Sequence, residues 1–205
     1  ILTGAGKIFM AGNELGEFGE FMEPSKCTAY YDTIRNAYLA VKNCRYPVIG
    51  AVNGAAAGAG VAFAGCCDVL IAAQGAKFAL SEIKVGIIGA DGYASLMVPE
   101  KVLRYMAFSG NPLLSEQIAQ WGGIWKVVPK EEVLPEAMKL AQEFTKNARR
   151  ALILWKQCLN ENYEHELAKK FNNNLLATIA YQPYHDFKEA STAFIEKRAP
   201  EYDEQ

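Results

Sequence analysis

The sequence has no apolar run near the roughly 18 residues that a membrane-crossing helix requires. Its longest small and apolar stretch, 48–64, is interrupted by Asn53 and by glycines. Charge of one sign is also lacking: 21 basic and 23 acidic residues leave a net charge of -2, interspersed along the chain. That excludes the broad cationic face on which nucleic-acid phosphates would sit. There is no CxxC pair. The five cysteines, Cys27, Cys44, Cys66, Cys67 and Cys158, are odd in number, which fits reduced thiols in an intracellular protein. Cys66 and Cys67 stand side by side in an apolar segment and read as small packing residues. Only two histidines are present, His165 and His185, and GxSxG is absent, so a hydrolase triad has little support. The acidic residues Glu14, Glu17, Glu20 and Glu23 read as a solvated loop or helix start rather than a metal site.

What is present is an ordinary globular composition, 51% hydrophobic and 21% charged over 205 residues, enough for one catalytic domain with a small appendage. Ile1 to Thr3 reads as the end of a buried strand, and the chain opens without an initiator Met or a signal peptide, so its first strands are expected to be missing. A strand is expected from Phe9 toward Leu15. From Tyr30 through Ile34, Tyr38 and Val41 the apolar residues recur at helical spacing, with Pro24-Ser25 as the entry signal and Pro47 enforcing an end near Arg45.

Residues 47–52 then read as a strand, Asn53-Gly54 as a turn, 57–64 as a tightly packed helix and 68–73 as a strand buried on both faces. Alternating strands and helices imply an α/β fold. Further helical patterns at 99–109, 115–121 and 134–144 flank a short strand at 124–128, and three more helices are expected at 151–166, 167–181 and 183–197. The expected division is therefore an α/β core over 1–147 and a helical region over 148–205.

Gly54-Ala-Ala-Ala-Gly58-Ala-Gly60 follows a strand, yet it lacks the glycine of a dinucleotide fingerprint, since Phe63 stands three residues after Gly60. No GxxxxGK[ST] phosphate loop is present either. Small residues at a strand-to-helix turn serve a second purpose: they let a ligand approach the backbone and leave N–H groups at the helix start free to donate. Ala11-Gly12-Asn13 is a second such turn. Two converging N–H groups would form an oxyanion hole, each donor worth about 3 kcal/mol in the transition state. Either segment alone is more simply a tight turn.

Together and in this order the segments resemble the crotonase, or enoyl-CoA hydratase/isomerase, superfamily, over nearly the whole chain. The resemblance rests on Gly6-Lys7-x-Phe9-x-Ala11-Gly12-Asn13-Glu14-Leu15 and on Tyr46-Pro47-Val48-Ile49-x-Ala51-Val52-Asn53-Gly54 with Ala57-Gly58-Ala59-Gly60. Cys67-Asp68, the segment from Phe78 through Glu82 to Ile88, and Ala193-Phe194-Ile195-Glu196-Lys197-Arg198 extend it. It implies a ββα spiral core with a helical trimerisation region, and an acyl-CoA substrate whose thioester carbonyl is held by the N–H groups of Asn13 and Ala59. Ala11, Gly12 and Gly58 would lie against that substrate. Phe194 and Lys197 match tail residues that contact the coenzyme A portion in relatives. Coenzyme A enters as part of the substrate; no metal or redox cofactor is implied.

Family hydratases use two carboxylates. Glu82 matches the second, whereas the first aligns with Ala62. A single Glu suits isomerisation better than water activation. Asp91, in Gly89-Ala90-Asp91-Gly92, is a candidate second acid and equally a turn former, and Tyr93 is a possible donor that more simply packs. Hydratase, isomerase, thioester hydrolase and non-catalytic scaffold all stay open. The resemblance further implies a homotrimer or hexamer and a cytoplasmic setting, or a mitochondrial or peroxisomal one in a eukaryote.

Overall fold

The structure, a computed structural model, describes residues 1–14, 16, 24–162 and 164–202, with the side chains at 24, 25, 164 and 165 left aside. Leu15, three of the acidic residues singled out above (Glu17, Glu20 and Glu23) and the His165 side chain lie outside that description.

Two sheets carry the core. The first is wholly parallel, in the order β1 (Leu2–Thr3), β2 (Ile49–Val52), β4 (Val69–Ala73) and β7 (Lys126–Val128). The second pairs β3 (Ala56–Ala57) in parallel with β5 (Lys77–Ala79), which pairs antiparallel with β6 (Leu113–Leu114). Burial of β2 and β4 on both faces explains their unbroken apolar runs. Gly50 within β2 lets Leu70 of the neighbouring strand pack close, since a Cβ there would lie 2.4 Å from Leu70 Cδ2 and the leucine side chain would have to shift.

Strands on the two sheets alternate with helices: α1 (Pro24–Lys42) precedes β2 and β3, α2 (Ala59–Cys66) precedes β4 and β5, and α3 (Asp91–Ala94), α4 (Glu100–Ser109) and α5 (Ser115–Gln120) lead to β7. This is the strand-strand-helix repeat expected from the sequence. The small residues of α2 let it sit in the core. A Cβ on its Gly65 would meet the Tyr93 carbonyl oxygen of α3 at 2.3 Å. Cys66 and Cys67 are buried at its end, and all five cysteines are free.

Two expectations shift. The strand expected from Phe9 reduces to an isolated bridge between Met10 and Ala56. The preceding bends are held by a side chain instead of a ladder, as Asn53 Nδ2 donates to the carbonyls of Gly4 and Gly6 at 3.0 Å each. The helix expected from Ala57 starts at Ala59, because Ala56 and Ala57 are spent on pairing with Phe78 and Ala79.

After α6 (Val133–Thr145), residues 148–205 contribute α7 (Arg149–Glu161), α8 (Glu164–Tyr181) and α9 (His185–Glu196). These fold back onto the core: α8 lies against α1 and α3, and α9 against the 3-10 turn Ser81–Val85. Lys156 of α7 is buried, with Nζ 2.7 Å from Asp68 Oδ2 and 3.0 Å from the Tyr46 carbonyl. Among the described residues no helix is long and apolar enough to cross a membrane.

Candidate active site

The two glycine-flanked turns are brought together by backbone pairing. Met10 accepts a hydrogen bond from Ala57 N–H at 3.0 Å, and a Cβ on Gly60 would lie 2.4 Å from the Met10 carbonyl oxygen, so nothing larger than glycine permits this approach. Gly12, with φ +99, sits over the second turn: a Cβ there would be 3.0 Å from the Ala57 oxygen and 3.7 Å from the Ala59 nitrogen. Gly58 donates its N–H to the Ala79 carbonyl at 2.9 Å and takes φ 52, ψ -120, which turns the chain into α2. Ala59 is then the first residue of the helix, where an N–H has no partner within its own helix. Among the described residues neither its N–H nor that of Asn13 meets a protein acceptor.

Both turns open on a cavity of about 460 Å³. Ala11, Gly12, Asn13 and Glu14 line it from one turn, Ala57, Gly58 and Ala59 from the other. Glu82 enters from the 3-10 turn Ser81–Val85, which Gly86 closes in a left-handed conformation. α9 fixes that turn: a Cβ on Gly86 would stand 2.9 Å from the Phe187 carbonyl oxygen. The remaining wall comes from Tyr30, Tyr31, Ile34 and Tyr38 of α1, Val85 and 87–90, Phe171 and Asn174 of α8, and Phe194 of α9.

Glu82 is the chemically poised group. Its Oε2 is buried without a hydrogen-bond partner. Burial pushes the carboxyl up to about 8, with the charge of Asp91 adding to the rise and a hydrogen bond from its own backbone N–H offsetting part of it. Such a carboxyl can hold a proton at neutral pH and release it within reach of neutrality.

Of the other residues singled out in the sequence, Phe194 lines the cavity with half its surface exposed (49%). Lys197 does not line it; it caps α9 with φ 57 and is exposed. Asp91 opens α3 just outside the lining, and its Oδ1 accepts a hydrogen bond from Asn174 Nδ2. Tyr93 is buried behind the wall, edge-on to Tyr38 at 5.2 Å between ring centroids. Ala62, the position expected from the resemblance to match the first carboxylate, is wholly buried, in one apolar cluster with Tyr38, Tyr93, Ala59, Cys66 and Leu167.

The α1 and α8 walls escaped the sequence reading. Tyr31, Ile34 and Tyr38 stand at i, i+3 and i+7, as do Phe171, Asn174 and Thr178, a spacing that signals a buried helix face without saying whether core or cavity covers it. Tyr31 joins the two helices: its hydroxyl donates to the Ile88 carbonyl at 3.0 Å and lies 2.8 Å from Thr178 Oγ1. Among the described residues no group of His, Cys, Asp and Glu side chains is arranged to hold a metal ion.

A family model described as enoyl-CoA hydratase/isomerase matches residues 1–205. The Dictyostelium discoideum protein named "Probable enoyl-CoA hydratase, mitochondrial" is 32% identical over 203 residues, 98% of this chain and 72% of that protein. The 1,2-epoxyphenylacetyl-CoA isomerase of Escherichia coli (strain K12) is 31% identical over 214 residues, 98% of this chain and 79% of that protein. Among solved structures, an enoyl-CoA hydratase from Mycobacterium avium subsp. paratuberculosis K-10 superposes with a TM-score of 0.83 at 25% identity, covering 98% of this chain and 78% of that one. The fold is thus the crotonase fold, and with the match running from Ile1 to Gln205 the chain belongs to the enoyl-CoA hydratase/isomerase family.

Proposed function

We propose that this chain acts on acyl-CoA thioesters, with the Asn13 and Ala59 N–H groups polarising the thioester carbonyl and Glu82 moving a proton at the α or γ carbon. The observation that carries the reading is the shared cavity: Glu82, with an unpartnered buried oxygen, faces the same space as two backbone donors that no protein group occupies. Withdrawal of an α proton places negative charge on the thioester oxygen, and donors already fixed by the backbone stabilise that enolate without reorganising. The reading needs no metal or redox cofactor.

Within this chemistry the burial of Ala62 favours isomerisation over hydration. Hydration in relatives shares one water between two carboxylates, and here the first position, Ala62, offers only a methyl group in a cluster with Tyr38 and Tyr93. A lone Glu82 can instead take a proton from one carbon and return it to another. Asp91, engaged by Asn174, acts in this reading through its charge on Glu82. Exposed Trp155 and Leu159, one helical turn apart on α7, support the trimer or hexamer as part of the same proposal.

Incubation with 2-enoyl- and 3-enoyl-CoA in heavy water tests the reaction. Isomerisation interconverts the two substrates and brings solvent deuterium onto carbon with no net gain of water, and Glu82→Gln slows it about 10²- to 10⁴-fold. An unaffected Glu82→Gln enzyme removes the proton-transfer assignment. Release of free thiol marks a hydrolase, and indifference to every acyl-CoA marks a scaffold.

A further inference from the structure

The cavity wall holds a polar group that the proposed proton transfer does not use. Tyr38, on α1, lines the cavity with Glu82 and is only 4% exposed. Its ring is fixed edge-on between Phe63 at 5.0 Å and Tyr93 at 5.2 Å, so the phenol cannot swing away to solvent. It belongs to the same apolar cluster as Ala62 and Tyr93.

Among the described residues the Tyr38 hydroxyl has no hydrogen-bond partner, in contrast to two polar neighbours on the same wall. Tyr31 is engaged by Ile88 and Thr178, and Asn174 by Asp91. Among the described residues the fully buried side-chain polar atoms without a partner are those of Arg35, Glu82 and Gln182, so the Tyr38 oxygen meets the cavity, where a ligand that displaces water has to replace its hydrogen bond. Burial, with Glu82 adding, raises the phenol far above its ordinary value, so it stays a neutral donor at every physiological pH.

We propose that Tyr38 is a specificity-determining donor whose hydroxyl receives a hydrogen-bond acceptor, a carbonyl or hydroxyl oxygen, carried on the acyl chain beyond the thioester. The proposal rests on the acyl-CoA reading above and narrows its substrate class to oxygen-substituted acyl groups. A site built to pair a polar substituent rejects the analogue that lacks it, because the buried protein group is then stranded.

Calorimetric titration compares 3-oxobutyryl-CoA with butyryl-CoA and 4-oxopentanoyl-CoA with pentanoyl-CoA, on the whole chain and on two variants whose folding is checked by melting. At least one oxygenated chain is expected to bind about three- to tenfold tighter than its saturated partner. That ratio falls to about one in Tyr38→Phe and persists in Tyr93→Phe, which removes a hydroxyl outside the cavity lining. A ratio near one for both pairs in the unaltered protein overturns the proposal, as does a ratio that survives Tyr38→Phe or is lost equally in Tyr93→Phe. Failure of the folded protein to bind any of the four thioesters overturns the acyl-CoA reading itself.

Discussion

Gly58 lies directly against the Glu82 carboxylate: a Cβ on Gly58 would stand 3.1 Å from Oε1 and 3.5 Å from Cδ. The same residue, at φ 52 and ψ -120, turns the chain so that Ala59 begins α2 with an open N–H. One missing side chain thus sets the donor and makes room for the acid.

Gly58→Ala therefore carries two penalties. The backbone strain costs about 1–3 kcal/mol, and displacement of Glu82 lowers kcat/KM by roughly tenfold to a hundredfold. Gly75→Ala is the comparison, since Gly75 also has positive φ (+68) but open space where its Cβ would go. Melting curves should fall for both variants and the rate for Gly58→Ala alone.

The rate should rise with pH. A carboxyl pushed up to about 8 is protonated in the free enzyme at lower pH and must ionise before it can accept a substrate proton. For α-proton exchange, kcat/KM is expected to climb about tenfold per pH unit below that value and level off above it. A profile flat from pH 5 to 9 would remove Glu82 as the base.

Stability should run the other way. The Glu82 carboxyl titrates at 4.5 when exposed and at about 8 when folded, so the native state holds the proton more tightly. This contribution is fully present below 4.5 and is lost as pH rises through 8. Glu82→Gln, which never ionises, should match the parent near pH 4.5 and exceed it at pH 9 by on the order of 3–5 kcal/mol. Urea denaturation at the two pH values measures the difference.

Lys156 anchors α7. Its ammonium, 5% exposed, reaches Asp68 Oδ2 at 2.7 Å, and the same oxygen accepts the Val48 N–H at 2.6 Å. Lys156→Ala removes this charged contact, whose carboxylate side stays partly exposed, and should cost about 1–3 kcal/mol. The accompanying Asp68→Asn change should recover part of it, which a double-mutant cycle reads as coupling.

How much of this was legible in the sequence depends on what each residue does. Gly12, Gly58 and Gly60 were readable because positive φ and close backbone contact leave glycine as their mark. β2 and β4 were readable because burial on both faces leaves unbroken apolar runs. Tyr38 was read only as part of a helical stripe, and Phe171 fell unremarked within a predicted helix, because a cavity wall and a core contact demand the same spacing. The Phe9 strand was over-read since nothing local announces that the Phe9 and Met10 N–H groups will both turn to the one Ala55 carbonyl, far along the chain, leaving a single bridge in place of a ladder. The same distance hid Asn174, which engages Asp91 and separates that acid's turn-forming and charge-bearing roles.

The bond between Tyr31 and Thr178 bears on the order of events in folding. Its two ends lie 147 residues apart in the sequence, so closing it is a long-range event with a large loop to close. Phe171 and Asn174 reach the cavity on the same helix as Thr178. A polypeptide still emerging from the ribosome, with α8 yet unmade, lacks the wall that Phe171 and Asn174 supply. Ligand recognition in this protein is then among the last properties that a newly synthesised copy acquires.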